Sequence, residues 1–424
     1  MNRNLNEKKI LILGADTSTA DAITYLKEKG VRTVLTDYNP PERLAEKRMT
    51  DEYWMIDVAD TDALEKACRE EGITNIFAGN HEFCLDQCKE LCARLGFPFY
   101  ASEKGWHASR DKLFYKAKCI EKGLRVPELY PVDASLKEED LKKINYPVIV
   151  KPNDGNGRRG VFLAGNEEEL KEAYLNSMKF SGRKEVLVEQ FIDGDEIFYI
   201  CYVYRGELYL VDVVVNRPVI IDGEKKFGFF DHDRLFVRNI DPREFEAYRE
   251  IVKELECENG LCIFQGIRKD GRVYNMEFGF RLDGFCTWRR TKVMSGVDYL
   301  ALMVDLALGE YETDCFEEDR SIPDETYVGY VLWGRPGRVA HIEGREELYE
   351  RDDLIILWDR FGEGDIIPDT PDMRSIAFAI EIFGSSYEEI KEKMKNINKD
   401  LHLYDEDHRD LLEYRLPEYE RWKY

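Results

Sequence analysis

The sequence predicts an α/β fold that begins with a doubly wound parallel sheet. Short apolar runs alternate with helical segments over the first hundred residues, and each run ends in small or polar residues. Further strands separated by glycine-containing turns follow. A chain of 424 residues that is 43% hydrophobic has enough apolar material for roughly two to four packed domains.

The elements of the first domain follow in regular order. Lys9–Leu13 is a short apolar run typical of a buried parallel strand, and it ends in the turn Gly14–Thr19. A helix is predicted over Ala20–Lys29, and strands are predicted over Val31–Thr36 and Thr74–Gly79. Because strands alternate with helices, we expect these strands to pair in parallel.

Polar residues follow each of these strands. Asp37 ends the second strand, and Asn80 and Glu82 follow the third. Ligands of doubly wound sheets lie at the carboxyl ends of the strands, so these residues and Gly14–Thr19 form one candidate rim. The first loop has one glycine where a dinucleotide fingerprint has three, so NAD is not expected. Helix capping is the alternative role for Asp16.

Charge and apolar pattern exclude several classes of protein. Lys and Arg number 61 against 85 Asp and Glu, a net charge of −24 that disfavours nucleic-acid binding. The longest apolar run, Tyr299–Leu308, contains Asp305 and is too short to span a membrane. The first ten residues lack the apolar stretch of a signal peptide. We therefore expect a cytoplasmic protein without nucleic-acid or membrane partners.

The ten cysteines are predicted to be free thiols. Cys84, Cys88 and Cys92 have the spacing of one helix face, and no Cys-x-x-Cys pair or neighbouring His completes a metal site. A buried helix face is therefore the better prediction, and free thiols fit a reducing compartment.

The first chemically informative segment is Ser109-Arg110-Asp111-Lys112. It opens a helix that is predicted to run to about Lys122, with Ser109 as the N-cap. Taken alone, this segment also fits a solvated helix start.

The second segment is the strand Tyr146–Lys151, followed by the loop Asn153–Gly160. The loop contains three glycines and two arginines, a composition that lets backbone N–H groups close around phosphate oxygens. Lys151 stands at its base, within reach of the same phosphates. A plain hairpin with exposed basic residues is the alternative. The loop residues of interest are Gly155, Gly157 and Arg158.

The third segment, Val186–Glu196, is an apolar strand that turns polar at Glu189. An adenine edge needs an acceptor for its amino group and a donor for a ring nitrogen. A carboxylate followed by extended backbone can supply both, and Glu196 could hold ribose hydroxyls. An ordinary strand that ends in Glu is the alternative.

A fourth segment is a predicted β-hairpin, in which Leu261–Ile267 and Val273–Gly279 flank an Asp-Gly turn. It carries the amide of Gln265 and the carboxylate of Glu277, hard oxygen ligands that suit Mg²⁺. An ordinary hairpin with one polar face is the alternative.

The turn length decides whether these two side chains share a face. A three-residue turn would pair Arg268 with Arg272 and place Gln265 opposite Asn275, with Glu277 diagonal on the same face. A two-residue turn would put Gln265 and Glu277 on opposite faces. The magnesium prediction therefore requires the longer turn.

These four segments, in this order and spacing, resemble the ATP-grasp superfamily. The closest resemblance is to its carboxylate–amine ligase branch, near the carbamoyl-phosphate synthase large chain and biotin carboxylase. The resemblance spans roughly Lys9–Asp400 and implies an ATP-grasp fold with an N-terminal Rossmann-like pre-grasp domain and a small C-terminal β-rich domain. The implied domains are residues 1–108 (pre-grasp), 109–185 (first grasp subdomain with the glycine-rich loop), 186–315 (second grasp subdomain with the metal site) and 316–424 (C-terminal α+β domain and helical tail).

The resemblance also implies roles for single residues. Lys112 and Lys151 resemble the two phosphate-binding lysines, and Arg281 resembles the arginine that meets the phosphoryl group in transfer. Arg281 and Lys151 would thus be catalytic. The implied nucleotide-binding set is Lys112, Lys151, Gly155, Gly157, Arg158, Glu189 as the acceptor of the adenine amino group, Gln190, Ile192 through its backbone, and Glu196 at the ribose.

The implied metal ligands are Gln265 and Glu277. The family pattern is Glu-x-Asn-x-Arg, and this chain has Gly279 where the pattern has Asn. Asn275 shares a strand face with Glu277 by a period of two and is the predicted substitute. Completion of the shell by water, or a single bound ion, are the alternatives.

The implied reaction uses ATP and Mg²⁺ to join a small-molecule carboxylate to an amine through an acyl phosphate. Substrate candidates are Asn80, Glu82, Arg289 and Arg290. One alternative is an ATP-binding regulator or scaffold with impaired catalysis, which Gly279 suggests, and another is a kinase or carboxylase. A helix is predicted over residues 399–424, and it docks either on the rest of this chain or on a second subunit. A homodimer is the default expectation for the oligomeric state.

Overall fold

The structure is a computed structural model that describes residues 5–155, 157, 159–221, 224–232, 240–313, 315–316, 326–370 and 373–413. Its helices are α1 (Thr19–Glu28), α2 (Glu46–Met49), α3 (Thr61–Glu70), α4 (Glu82–Leu95), α5 (Glu103–Arg110), α6 (Lys112–Glu121), α7 (Glu138–Leu141), α8 (Glu167–Met178), α9 (Pro242–Glu254), α10 (Thr287–Ser295), α11 (Tyr299–Leu308), α12 (Arg345–Tyr349) and α13 (Tyr387–Asp400). Among the described residues, every helix is too short or too polar to cross a membrane.

The strands are β1 (Lys9–Leu13), β2 (Arg32–Thr36), β3 (Glu52–Trp54), β4 (Asn75–Phe77), β5 (Leu129–Tyr130), β6 (Val148–Pro152), β7 (Phe162–Ala164), β8 (Val186–Gln190), β9 (Asp195–Tyr204), β10 (Glu207–Ile221), β11 (Glu224–His232), β12 (Gly260–Lys269), β13 (Arg272–Gly279), β14 (Thr326–Gly334), β15 (Gly337–Arg338), β16 (His341–Glu343), β17 (Leu354–Asp359), β18 (Ile366–Ile367), β19 (Ile376–Gly384), β20 (His402–Tyr404) and β21 (Leu412–Glu413). The chain divides into two compact units. The first comprises Met1–Val211, Arg238–Leu282 and Leu300–Phe316, and the second comprises Asp212–Val237, Asp283–Tyr299 and Glu317–Tyr424.

The first unit begins with the predicted parallel sheet, in the order β3-β2-β1-β4. Leu11, Leu13 and Val34 point from it into a core that α3 and α4 close. All three cysteines of α4 are buried there, which confirms the predicted helix face. The sheet is parallel because each crossover helix returns the chain to the edge from which the next strand starts.

The second sheet of this unit is antiparallel, in the order β5-β8-β6-β7. One face carries Val148, Val150 and Val188, which pack on α8. The opposite face carries Lys151 and Glu189, which are diagonal neighbours because Lys151 pairs with Leu187. The pleat therefore sends the apolar residues to the core and the charged residues to the other side.

A third sheet brings the hairpin of β12 and β13 against β9. Helices α6 and α9 pack on it through aromatic side chains. Tyr115 stacks on Phe278, and Tyr248 stacks on Phe264 with ring centroids 4.4 Å apart. Aromatic burial of this extent fixes α6, and hence its first turn, relative to the hairpin.

The second unit is built on antiparallel strands in the order β11-β14-β19-β17. The later residues of β10 pair with β11. Helix α13 covers one face, where Ile390, Met394 and Ile397 join a core that includes Ile380 and Ile382. This arrangement agrees with the β-rich C-terminal region that the sequence predicts.

Two predictions on local structure are wrong. Ser109 lies inside α5 and donates to the carbonyl of Trp106, so it does not cap α6. The tail forms β20 and β21 over part of the range predicted as a helix, since the chain turns back to pair with β16 and β14. The rest of that range, 414–424, lies outside the described residues.

Candidate active site

The first turn of α6 is held by Asp111. Its carboxylate accepts from the N–H of Phe114 at 2.9 Å and from the side-chain amide of Asn153 at 3.2 Å. Burial raises the pKa of Asp111, but these bonds and Arg183 outweigh it and hold the pKa below its usual value. A charged N-cap places Lys112 at the start of the helix, next to the base of the glycine loop.

Lys112 links that loop to the hairpin. Its ammonium donates to the carbonyl of Gly155 at 2.5 Å and lies 3.2 Å from Oε2 of Glu277. Asn153 fixes the loop on the same side by accepting from the N–H of Leu113 at 3.1 Å. Three segments that are distant in sequence thus converge on one ammonium group.

Lys151, Glu189 and Lys116 form a second cluster, which we call the Lys116 triad. Nζ of Lys151 lies 2.5 Å from Oε1 of Glu189, and Nζ of Lys116 lies 3.0 Å from Oε2. Glu189 and Lys116 are completely buried. Burial lowers the pKa of Lys116 to about 8, and it opposes ionisation of Glu189, whose pKa is nevertheless lowered by the two ammonium groups.

The triad contradicts the role predicted for Glu189 and adds Lys116 to the residues of the site. The Glu189 carboxylate faces two ammonium groups in the interior, so the structure does not support it as the acceptor of an adenine amino group. Lys116 was missed by the sequence analysis. Its signal is a second lysine four residues after Lys112, which places both on one face of α6.

Three more of the predicted nucleotide-binding residues lie at the end of β8 or shortly after it in the chain. Gln190 ends β8 and donates its N–H to the carbonyl of Glu128 at 2.9 Å. Ile192 is buried. Glu196 is the second residue of β9 and accepts from the side-chain amide of Gln265 at 2.6 Å. The hydrogen bond between Glu196 and Gln265 therefore joins the start of β9 to the hairpin.

The hairpin places Gln265 and Glu277 on one face, as predicted, but with a different turn and an added bulge. Lys269 pairs with Arg272 around a two-residue turn in which Asp270 and Gly271 both have positive φ. The shorter of the two possible turns is therefore present, and the inference that the magnesium prediction requires the longer one is wrong. A bulge then shifts the register between Gly266 and Gln265, and Gln265 lies directly opposite Glu277. The extra residue of the bulge returns the two side chains to one face.

The same bulge removes Asn275 from the predicted metal set. Its side-chain oxygen accepts from the hydroxyls of Tyr248 at 2.8 Å and Tyr115 at 3.2 Å, and its amide donates to the carbonyl of Arg125. Asn275 is buried in the core beneath the hairpin, so the predicted substitution for the missing Asn is wrong.

Gln265 and Glu277 remain as candidate ligands for Mg²⁺. Burial opposes ionisation of Glu277, but Lys112, Lys151 and Arg281 lower its pKa below the usual value. A carboxylate and an amide oxygen are hard ligands that suit Mg²⁺, which commonly shares its shell with phosphates and water. Within the described ranges, no group of three His, Cys, Asp or Glu side chains has the arrangement of a metal site.

Arg281 lies beside the rim of the parallel sheet. Its Nε is 3.2 Å from Oε1 of Glu82, and Arg110 is 3.2 Å from the other oxygen. Asn80 donates its side-chain amide to Thr17 at 2.7 Å. The Glu82 carboxylate of the rim therefore forms ion pairs with two guanidinium groups, those of Arg281 and Arg110.

The predicted rim itself is confirmed. Asp16 accepts from the N–H groups of Asn80 at 2.6 Å and Ser18 at 2.8 Å, and Asp37 accepts from the N–H of Ala15. The loops that follow β1, β2 and β4 are thus tied together at the carboxyl ends of their strands.

The remaining predicted residues lie in the second unit or outside the described part of the chain. Arg290 is fully buried and contacts Asp212 and Glu381, so the structure does not support it as a substrate clamp. Arg289 is partly exposed and donates to the carbonyl of Ile356 at 2.7 Å. Arg158 lies outside the described residues, whereas Gly157 has a φ of +59° that favours glycine.

Arg290 belongs to a closed group of four side chains, which we call the Arg290 ring. His232 lies 3.1 Å from Asp212 through Nδ1 and 3.1 Å from Glu381 through Nε2. Arg290 contacts the same two carboxylates. Burial and Arg290 lower the pKa of His232, but the two carboxylates outweigh them and raise it above its usual value.

Comparison with known proteins agrees with this geometry. The family described as carbamoyl-phosphate synthase L chain, ATP binding domain, matches residues 121–197, which contain the glycine loop, Lys151 and Glu189. The 2-oxoglutarate carboxylase small subunit of Hydrogenobacter thermophilus is 27% identical over 335 residues, which are 72% of this chain and 67% of that protein.

Two solved structures share the fold over almost the whole chain. The L-amino acid ligase from Bacillus licheniformis has a TM-score of 0.75 at 19% identity and covers 94% of this chain and 99% of its own. The biotin carboxylase domain of the Hydrogenobacter thermophilus 2-oxoglutarate carboxylase, solved with MgADP and bicarbonate, has a TM-score of 0.76 at 19% identity and covers 93% and 90%. The chain therefore has the ATP-grasp fold, and its resemblance to the carbamoyl-phosphate synthase and biotin carboxylase branch of that superfamily is confirmed.

Proposed function

We propose that this chain is an ATP-dependent ligase that joins a small-molecule carboxylate to an amine and releases ADP and phosphate. The observation that carries the proposal is the convergence of three cationic groups on the base of the glycine loop and the adjoining rim. Lys112, Lys151 and Arg281 are each held by a carboxylate of the same unit. Such pre-organised cations suit a triphosphate whose charge must be offset during transfer.

The proposed reaction has two steps, a phosphoryl transfer followed by attack of the amine. A carboxylate oxygen of the substrate attacks the γ-phosphorus of ATP, the bond to the bridging oxygen breaks, and ADP leaves with that electron pair. The amine then attacks the acyl carbon of the acyl phosphate, phosphate leaves and the nitrogen loses a proton. The chain contributes positioning and charge neutralisation, and a closed glycine loop excludes water from the acyl phosphate.

The nucleotide would lie along the end of β8. The backbone at Gln190 and Ile192 faces adenine in this proposal, Glu196 holds the ribose, and Lys112 and Lys151 bind the phosphates. Gln265 and Glu277 are the residues that would hold Mg²⁺, which neutralises charge on the phosphates when bound. Glu82 and Asn80 on the rim would meet the substrate.

The test is ADP release by the purified chain with Mg-ATP and a panel of carboxylates and amines. Amino acids are included because a structural neighbour is an L-amino acid ligase, and bicarbonate is included because another neighbour holds it. We expect ADP release only with the correct acid and amine, and Lys151→Met should reduce it by about a hundredfold or more. Release that Lys151→Met leaves unchanged would contradict the proposal.

A second candidate is a nucleotide-binding regulator or scaffold with impaired catalysis. Gly279 favours it, because the family pattern has a metal-ligating Asn at that position and Asn275 lies elsewhere. Tight binding of Mg-ATP without ADP release, for every acid and amine tried, would support this candidate over the ligase. A homodimer and a cytoplasmic location remain predictions, and the free cysteines suit the latter.

A further inference from the structure

The Lys116 triad does not balance its charges. Two ammonium groups face one carboxylate, which leaves one positive charge in a buried place. The other contact of Lys116 is a neutral acceptor, the carbonyl of Asn275 at 3.2 Å. Among the described residues, Glu189 is the only carboxylate in ion-pair contact with either lysine. An unbalanced buried charge is costly unless a counter-ion arrives.

The two lysines differ in what they can reach. Lys151 lies in β6, next to the residue that ends this strand before the glycine loop, and retains slight exposure, whereas Lys116 is completely buried. Glu189 lies between them, so it shares its charge between both partners. A phosphate that binds Lys151 must draw this ammonium away from Glu189, and Lys116 then remains as the partner of the carboxylate. Without Lys116, the same movement would leave Glu189 buried and unpaired, which is strongly unfavourable.

Resting on the proposed function, we propose that Lys116 is a positioning residue for the phosphates. It keeps Glu189 paired and thereby frees Lys151 to bind the nucleotide. Lys116 itself does not touch the ligand. Its effect should therefore grow with the number of phosphates that Lys151 has to meet, and it should depend on the presence of the Glu189 carboxylate.

The experiment measures the dissociation constants of adenosine, ADP and Mg-ATP by calorimetry for the full chain and its Lys116→Met variant. Methionine keeps the length of the side chain and removes the charge. We expect adenosine to bind as in the wild type and Mg-ATP to bind at least about tenfold more weakly, with ADP between them. Lys118→Met is the matched control, because Lys118 lies on the same helix and pairs with Glu254 and Glu121 on the surface. It should leave all three constants unchanged.

The double variant Lys116→Met/Glu189→Gln separates positioning from structure. Removing the carboxylate together with Lys116 releases Lys151, so most of the lost affinity for Mg-ATP should return. A merely structural role would instead weaken adenosine and Mg-ATP equally and would not be rescued.

Three results would overturn the inference. They are unchanged binding of Mg-ATP by Lys116→Met, an equal loss for adenosine and Mg-ATP, and a double variant that binds no better than the single one. A wild-type chain that binds neither adenosine nor Mg-ATP would overturn the proposed function together with this inference. The first three outcomes, on a wild type that binds Mg-ATP, refute the role of Lys116 alone.

Discussion

Each compact unit buries a cluster of charged side chains, and the two clusters differ in balance. The Arg290 ring has two carboxylates, one guanidinium and one imidazole, and every member contacts two others. With His232 protonated at both ring nitrogens, the two positive charges of the ring cancel its two negative charges. The Lys116 triad is an open chain of three groups with one positive charge in excess.

This difference separates a structural cluster from a binding site. A closed, neutral ring has no net charge with which to attract an ion, and its members depend on one another because loss of one leaves a buried charge without its partner. An open triad next to a glycine loop retains attraction for an anion. We therefore expect substitutions in the ring to affect stability, and substitutions in the triad to affect nucleotide affinity.

The largest expected effect comes from breaking the ring. Arg290→Met leaves Asp212 and Glu381 with His232 as the only cation of the ring, and we expect the free energy of unfolding to fall by about 3–5 kcal/mol. Urea unfolding followed by circular dichroism measures the change. Arg289 is next to Arg290 in the chain and is partly exposed, so Arg289→Met should lower the free energy of unfolding by only about 1 kcal/mol.

Lys116→Met provides the comparison from the other cluster. Its stability cost should be clearly smaller than that of Arg290→Met, because Glu189 still pairs with Lys151. Equal losses of stability in both variants would remove the distinction between the ring and the triad.

A smaller effect concerns the pH dependence of the ring. The folded pKa of His232 is raised above its unfolded value of about 6.5. The contribution of His232 to the free energy of unfolding is therefore fully present below that unfolded pKa. It is lost as the pH rises through the folded pKa, at up to about 1.4 kcal/mol per pH unit. Unfolding free energies measured from pH 6 upward should fall less steeply in His232→Gln than in the wild type. Parallel pH profiles would contradict a protonated His232.

The smallest expected effect is at Gly279, where the hairpin departs from the family pattern. A Cβ at this position would meet its nearest atom, in Ile263, at 3.5 Å, an ordinary contact, so the backbone has room for the Cβ of a larger residue. Gly279→Asn adds an amide oxygen on the Glu277 face, and Mg²⁺ should bind the nucleotide complex severalfold more tightly, by about 1 kcal/mol. Gly279→Ala should not change the metal titration. An unchanged titration for Asn would indicate that water or phosphate already completes the shell.

The local elements and the rim can be predicted from the amino-acid sequence alone. Apolar runs and turn residues predict β1, β2, β4, β6 and the hairpin, because strand burial and turn conformation depend on neighbouring residues. The rim could also be predicted, since parallel strands bring their carboxyl ends to one edge. The place of Lys151 at the base of the glycine loop follows from the same local order, whereas Lys112 was assigned to the phosphates only through the family resemblance, because it is 43 residues from its loop partner Gly155.

Which polar side chains face the site depends on contacts between distant parts of the chain. The bulge between Gln265 and Gly266 places Glu277 opposite Gln265 and sends Asn275 into the core, against Tyr115 and Tyr248. The burial of Glu189 between two lysines, and of Arg290 between two acids, likewise depends on partners far apart along the chain. A charged side chain is buried only where such partners meet it, and periodicity in the sequence carries no information about them.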